Sequence, residues 1–307
     1  MKKIPVFLDT DIGGDIDDTW ALGFLMRSPE VELKFILSAV GDTRYRAKII
    51  AKMLETADYT GTTVGMGVRV PTIADHLSLC YHKRQAAWIE DYSLEKFPGK
   101  VHENGVEAFV KAVMASEETP CVLSIGPLPN IARALEIEPR IASKCRFVGM
   151  QGSIRLGYFG SSVLSAEYNV MYDPAAVRKV FSAPWKDILI TPLDTCGYIT
   201  LEGPLYQQIR ESKDPVAWSI IENYMTWRND EAKLWESRST LLCDTVAAYL
   251  VFDESLVETE TLPVIVTDDG FTKIDPINGR PIRVATAWRD LETFKKMLAD
   301  RIAGLTG

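Results

Sequence analysis

The chain has 307 residues and an ordinary globular composition, 47% apolar and 25% charged, so it is long enough to bury a large core. Its net charge of −8 argues against a surface that coats nucleic acid, which would need basic patches. Cys80, Cys121, Cys145, Cys196 and Cys243 are scattered without any Cys-x-x-Cys pair, which fits reduced thiols in a cytoplasmic protein better than a disulfide frame or a zinc ribbon. After Met1-Lys2-Lys3 the apolar run stops at Asp9, too short for a secretory core, and no stretch is long enough to cross a membrane.

The pattern predicts elements that alternate almost to the end. Ile4 to Leu8 reads as a short buried strand and Thr19 to Met26 as a helix. Leu33 to Val40 reads as a second strand, followed by a helix over Tyr45–Glu55 whose apolar side is Ile49, Ile50, Met53 and Leu54. Thr63 to Met66 is a short third strand. From Arg69 to Gly99 the pattern breaks up around Pro71 and Pro98, as functional loops and lids do. Beyond it come a helix over Val106–Met114, a strand over Cys121–Ile125, a helix over Asn130–Leu135 and a strand over Arg146–Met150. Asp173-Pro174 opens a helix through Phe181, with Asp at the cap and Pro at the first helical position. Ile188 to Thr191 is again a strand. A helical portion spans about 200 to 251 and a small β-rich stretch about 260 to 285. The alternation predicts an α/β fold with a mostly parallel central sheet flanked by helices. With no repeat, low-complexity tract or clear linker, residues 1–307 are expected to form one domain.

Asp9-Thr10-Asp11-Ile12-Gly13-Gly14-Asp15-Ile16-Asp17-Asp18 packs five carboxylates into ten residues at the end of the first strand. Acids so close repel unless a cation or polar ligand neutralises them, and in open α/β folds this crevice is where ligands bind. A calcium loop of the EF-hand kind is excluded, because its twelfth position needs a bidentate Glu and here holds Trp20. An aspartyl-phosphate phosphatase would also place Asp-x-Asp at a strand end. It needs a later Lys and a distant acidic pair, and no convincing set is present.

A wider set of motifs carries a resemblance. Asp9-Thr10-Asp11-Ile12-Gly13 with Asp17-Asp18 resembles the signature of the nucleoside hydrolase family, with two extra residues before the Asp pair. Gly126-Pro127-Leu128-Pro129-Asn130, Met150-Gln151-Gly152, Ala166-Glu167-Tyr168-Asn169 with Asp173-Pro174, Pro192-Leu193-Asp194 and Asp244 are similar to its later motifs, in the same order. The resemblance spans roughly residues 3 to 251 and identifies a divergent branch of the family, inosine-uridine preferring nucleoside hydrolase-like.

It implies a Rossmann-like core and calcium-dependent hydrolysis of the N-glycosidic bond of a ribonucleoside, giving ribose and base. That chemistry needs an activated water, stabilisation of a ribosyl oxocarbenium ion and help for the departing base. By resemblance, Asp11 contacts the metal and accepts the water's proton, while Asp18, Asp244 and the carbonyl of Ile125 are further ligands of Ca2+. Asp17, Met150, Glu167 and Asn169 would meet the ribose, and Asp9 would support the loop by accepting backbone N–H bonds. The resemblance also implies a homodimer or homotetramer acting on a small molecule, with neither nucleic acid nor membrane as partner.

Bland readings stand beside these. Asp173 suits a helix cap, Met150 plain core and Asn130 a turn, and Asp42 could cap the helix behind it or pair with Arg44 or Arg46. Family members that protonate the base with histidine carry His before the late Asp; here that position is Cys243, a poor acid when buried. His102, Tyr198 and Trp227 are candidates for the leaving-group side, with a solvated loop and helix core as their plain readings. The missing histidine keeps open a catalytically weak ribosyl-binding or sensing protein on the same fold. Ser161 stands where the family often has Asn near the ribose 5′-hydroxyl. The base preference cannot be read from the sequence.

Overall fold

The computed structural model describes residues 2–69, 83–229 and 233–305. Ten strands form one sheet: β1 (Ile4–Thr10), β2 (Val31–Ser38), β3 (Thr63–Met66), β4 (Val101–His102), β5 (Cys121–Ser124), β6 (Arg146–Met150), β7 (Asp187–Thr191), β8 (Val257–Val266), β9 (Thr272–Ile274) and β10 (Arg280–Trp288). Their order across the sheet is β4-β3-β2-β1-β5-β6-β7-β10-β8-β9. Every pair from β4 to β10 is parallel; β8 runs antiparallel between β10 and β9. The expected mostly parallel α/β sheet is therefore present, and the β-rich stretch near 260 to 285 extends the main sheet rather than standing apart.

Strand alternation sorts the core into two layers. On β1, Val6 and Leu8 join one apolar cluster and Phe7, between them, joins the other. The first cluster takes in the helices Asp17–Met26, Thr43–Thr56, Pro215–Arg228, Cys243–Leu250 and Leu291–Ile302. The second takes in Gly105–Ala115, Pro129–Ile137 and Pro174–Ser182. Burying each Leu, Ile or Phe of these layers contributes about 1.5–3 kcal/mol, which is why the strands read as nearly continuous apolar runs. The helix Leu291–Ile302, which the alternation did not anticipate, is capped by Asp290, whose carboxylate accepts from the Thr293 N–H at 3.0 Å.

This topology positions the site. Successive strands step one way from β1 through β2 to β4, then the chain returns to the other side of β1 with β5 and continues to β7. The carboxyl ends of β1 and β5 therefore flank a switch point, where the loops diverge and leave a crevice. The chain turns into that crevice at Gly13, whose φ of 105° lies in the region glycine tolerates. No helix among the described residues is long and apolar enough to cross a membrane.

Candidate active site

A cavity of about 300 Å³ opens at the switch point. Its lining includes Asp11, Asp17, Asp18, Ile125, Met150, Glu167, Asn169 and Asp244, so eight of the residues singled out in the sequence converge on one space. Asp11 directly follows β1 and Ile125 directly follows β5. Asp17 and Asp18 open the helix Asp17–Met26, and Asp244 is the second residue of the helix Cys243–Leu250. Neither helix has a side-chain N-cap, and each carries its acids in the first turn, where free N–H groups and the helix dipole favour negative charge.

Oxygen atoms of Asp17, Asp18 and Asp244 lie within 4.8 Å of one another, and all three residues are buried. Burial together with mutual repulsion holds these carboxyls well above the ordinary carboxylate range, and Asp11 is raised by burial. Arg46 opposes this by favouring the charged forms of Asp11 and Asp18, and the Thr10 hydroxyl donates to Asp18. Three converging buried carboxylates form a hard oxygen donor set suited to a divalent cation. The resemblance assigned Asp17 to the ribose; the geometry groups it with Asp18 and Asp244.

The surrounding groups are held by specific bonds. Among the described residues, the Asp9 carboxylate accepts from side chains and not from the backbone N–H groups expected. It accepts from Ser124 Oγ at 3.1 Å, opposite it on the adjacent strand β5, and from Asn130 Nδ2 at 2.8 Å, in the first turn of the helix Pro129–Ile137. Asn130 also accepts from the Val68 N–H, so it ties three segments rather than a single turn. Glu167 caps the helix Tyr168–Tyr172, accepting from Asn169 N at 2.7 Å and Gly152 N at 2.9 Å. Asn169 Nδ2 donates to the Met150 carbonyl at 3.0 Å and lies 3.3 Å from its sulfur, which orients the methionine at the cavity wall.

His102, Tyr198 and Trp227 do not line this cavity. His102 lies exposed on the edge strand β4 and stacks on Phe35, with ring centroids 6.3 Å apart. Tyr198 is half-buried against the core. Trp227 is buried, and its indole N–H donates to the Gly14 carbonyl at 2.9 Å. Cys243 does line the cavity, its thiol held well above the ordinary range by the adjacent Cys196 thiol and by burial. His76, His82 and Cys80 lie outside the described residues. Asp42 caps the helix Thr43–Thr56 and pairs with Lys83 at 2.7 Å; Arg44 pairs instead with Glu95 and Glu103.

The sequence reading missed Tyr158, Tyr168 and Leu241 as cavity residues, while Asp15, one of the five loop carboxylates, lines the cavity too. Tyr168 sits between Glu167 and Asn169 in a motif already recognised, so its neighbours signalled it. Tyr158 arrives on an irregular turn near Phe159, a non-glycine residue at φ 60°, and no sequence pattern announces it.

Glu167 makes the burial energetics testable. Burial raises its carboxyl from 4.5 to about 7. A raised acid favours the folded state fully below its unfolded value, and that contribution is lost as pH rises through the folded value. In cation-free protein, Glu167→Gln is therefore expected to flatten the fall of Tm between pH about 4.5 and about 7. An unchanged slope would show that Glu167 titrates normally.

The fold and site together define an α/β protein with a buried acidic pocket, fit for a divalent cation, at the switch point of a parallel sheet. The sequence matches the family described as inosine-uridine preferring nucleoside hydrolase over residues 6–296, and the chain belongs to that family. It is thus an enzyme of a family that hydrolyses N-ribosyl bonds. It is 29% identical to the inosine-uridine preferring nucleoside hydrolase of Crithidia fasciculata over 322 residues, covering 98% of this chain and 97% of that one. Over 315 residues it is 26% identical to the pyrimidine-specific ribonucleoside hydrolase RihA of Enterobacter sp. (strain 638), covering 98% of each. Among solved structures, a plant nucleoside hydrolase superposes with a TM-score of 0.77 at 20% identity, covering 98% of this chain and 99% of that one. A purine-preferring ribonucleoside hydrolase from Gardnerella vaginalis gives 0.76 at 21% identity, covering 98% of each chain.

Proposed function

We propose that the chain is a single catalytic domain that hydrolyses the N-glycosidic bond of ribonucleosides with calcium as its cation. The observation that carries this reading is the convergence of Asp17, Asp18 and Asp244 at two helix N-termini beside Asp11. These residues, with Asp11 and the carbonyl of Ile125, would hold the ion. Bound calcium would supply a site for sugar hydroxyls and a water made easier to deprotonate.

The remaining work belongs to the chain. Asp11 takes the proton of the attacking water as the water oxygen bonds the anomeric carbon. The bond from that carbon to the base nitrogen breaks, its electron pair leaves with the base, and the base takes up a proton from solvent water. Glu167 and Asn169 line the same cavity, tied by hydrogen bonds to Gly152 and Met150, where they would meet ribose hydroxyls. Asp17 has two oxygens and can turn one to the cation and one to the sugar. The enclosed wall of Met150, Ile125 and Leu241 limits water near the oxocarbenium ion, so the fixed carboxylates act in a medium that weakens them little. Family membership along nearly the whole chain supports catalysis over simple ribosyl binding.

The test is ribose release from purine and pyrimidine ribosides and from p-nitrophenyl riboside, whose leaving group needs little acid help. Calcium-dependent release from ordinary nucleosides is expected. Failure with all of them, with ribosides still binding, would return the weight to the ribosyl-binding alternative.

A further inference from the structure

Four consecutive carbonyls of the acidic loop are each held by a side chain from elsewhere. Arg46 Nη1 donates to Ile12 O at 3.0 Å and the Tyr45 hydroxyl to Gly13 O at 3.2 Å. Trp227 Nε1 donates to Gly14 O at 2.9 Å, and Gln85 Nε2 to Asp15 O at 3.4 Å. All four donor residues are buried. They also brace one another: the Gln85 N–H donates to the Tyr45 oxygen at 3.1 Å, and the Arg84 guanidinium lies 4.4 Å over the Trp227 ring. Arg46 is fixed in turn by its Nε bond to Val40 O at 2.9 Å.

The pattern separates two sides of one loop. Its carbonyls are bound by these donors, while Asp11, Asp15, Asp17 and Asp18 line the cavity. The bonds to Ile12 O and Gly13 O are buried and those to Gly14 O and Asp15 O half-buried, and a carbonyl that loses its donor turns toward water or another group. Such a turn re-aims the carboxylates on either side. Calcium affinity depends on the charge and the rigidity of the oxygen set that holds it, so a loop freed to move binds it more weakly.

We propose that Arg46, Tyr45, Gln85 and Trp227 are positioning residues, a carbonyl clamp that fixes the acidic loop in its cation-binding shape. Trp227 then acts through Gly14 and not by touching the leaving group. The proposal rests on the reading that the carboxylates hold a divalent cation.

Trp227→Phe removes the indole N–H that holds Gly14 O and keeps an aromatic six-membered ring, while Tyr45→Phe keeps its ring and removes both the donor to Gly13 O and the acceptor of the Gln85 N–H. In the whole chain without nucleoside, calcium titration by calorimetry is expected to show Kd raised about 10-fold in each, the consequence of a loop carbonyl left without its donor. Amides of residues 12–16 should exchange faster in both variants, and relative kcat/KM values among nucleosides should stay as in wild type. A calcium Kd unchanged in both variants, or a change in nucleoside preference for Trp227→Phe, would overturn the clamp. If the wild-type chain binds no calcium, the cation reading falls and hydrogen exchange decides alone: unchanged protection at 12–16 sinks the clamp, and faster exchange confined there keeps it.

Discussion

Asp11→Asn is expected to leave the fold intact and lower kcat by about 10²–10⁴-fold, the range a positioned general base supplies. Asp11 stands where β1 releases the chain into the cavity, and it is 8% exposed, so its carboxylate meets the cavity and little else. The turn after β5 is shaped around it: a Cβ on Gly126 would lie 2.7 Å from Asp11 Oδ1 and 2.9 Å from its backbone nitrogen. Only a residue without a side chain lets that carboxylate rest against the turn. Asparagine keeps the shape and loses the proton acceptor. Because Asp11 also borders the cation position, kcat is to be measured at saturating calcium, with circular dichroism to verify the fold. A kcat within about twofold of wild type, well under the general-base range, removes Asp11 from the base role.

Much of this site was legible because its residues sit at sequence positions that the fold makes equivalent. Asp11 and Ile125 follow adjacent parallel strands, and Asp17, Asp18 and Asp244 begin helices, so motifs far apart in the chain land at one end of the sheet. Periodicity alone placed Thr63–Met66 and Arg146–Met150 to the residue. It fell short at β1, read to Leu8 although pairing with β2 continues through Asp9 and Thr10. There the two polar residues satisfy the ladder while their side chains bond Asn130, 121 residues away, and Asp18, across the acidic loop, pairings that apolar periodicity does not report. The helix Leu291–Ile302 was missed despite Leu291, Phe294, Leu298 and Ile302 lying on one helical face. The role of Trp227 was hidden for a different reason. An aromatic near a base pocket and an indole that holds Gly14 from 213 residues away look alike in sequence.

Calcium removal is expected to abolish ribose release and also to lower the stability of the folded chain, and the two losses together identify the cation as part of the structure. Without it, burial and mutual repulsion hold Asp17, Asp18 and Asp244 well above the ordinary carboxylate range. Groups raised in this way favour the fold below their unfolded values and lose that contribution as pH rises through the folded ones. The chelated protein should therefore melt at lower temperature as pH rises above the ordinary carboxylate range, where the carboxyls are forced to ionise together. A cation that binds only the folded chain reverses this, adding about 2.7 kcal/mol at a concentration 100 times its Kd. Its gain in Tm should grow with pH, because calcium needs deprotonated ligands while protons compete for the same oxygens. Thermal melts across pH, with calcium and with chelator, read the effect directly. Full turnover in chelator, with equal melting temperatures at every pH, would mean that Asp17, Asp18 and Asp244 hold protons instead of a cation, and that the chemistry at Asp11 proceeds without one.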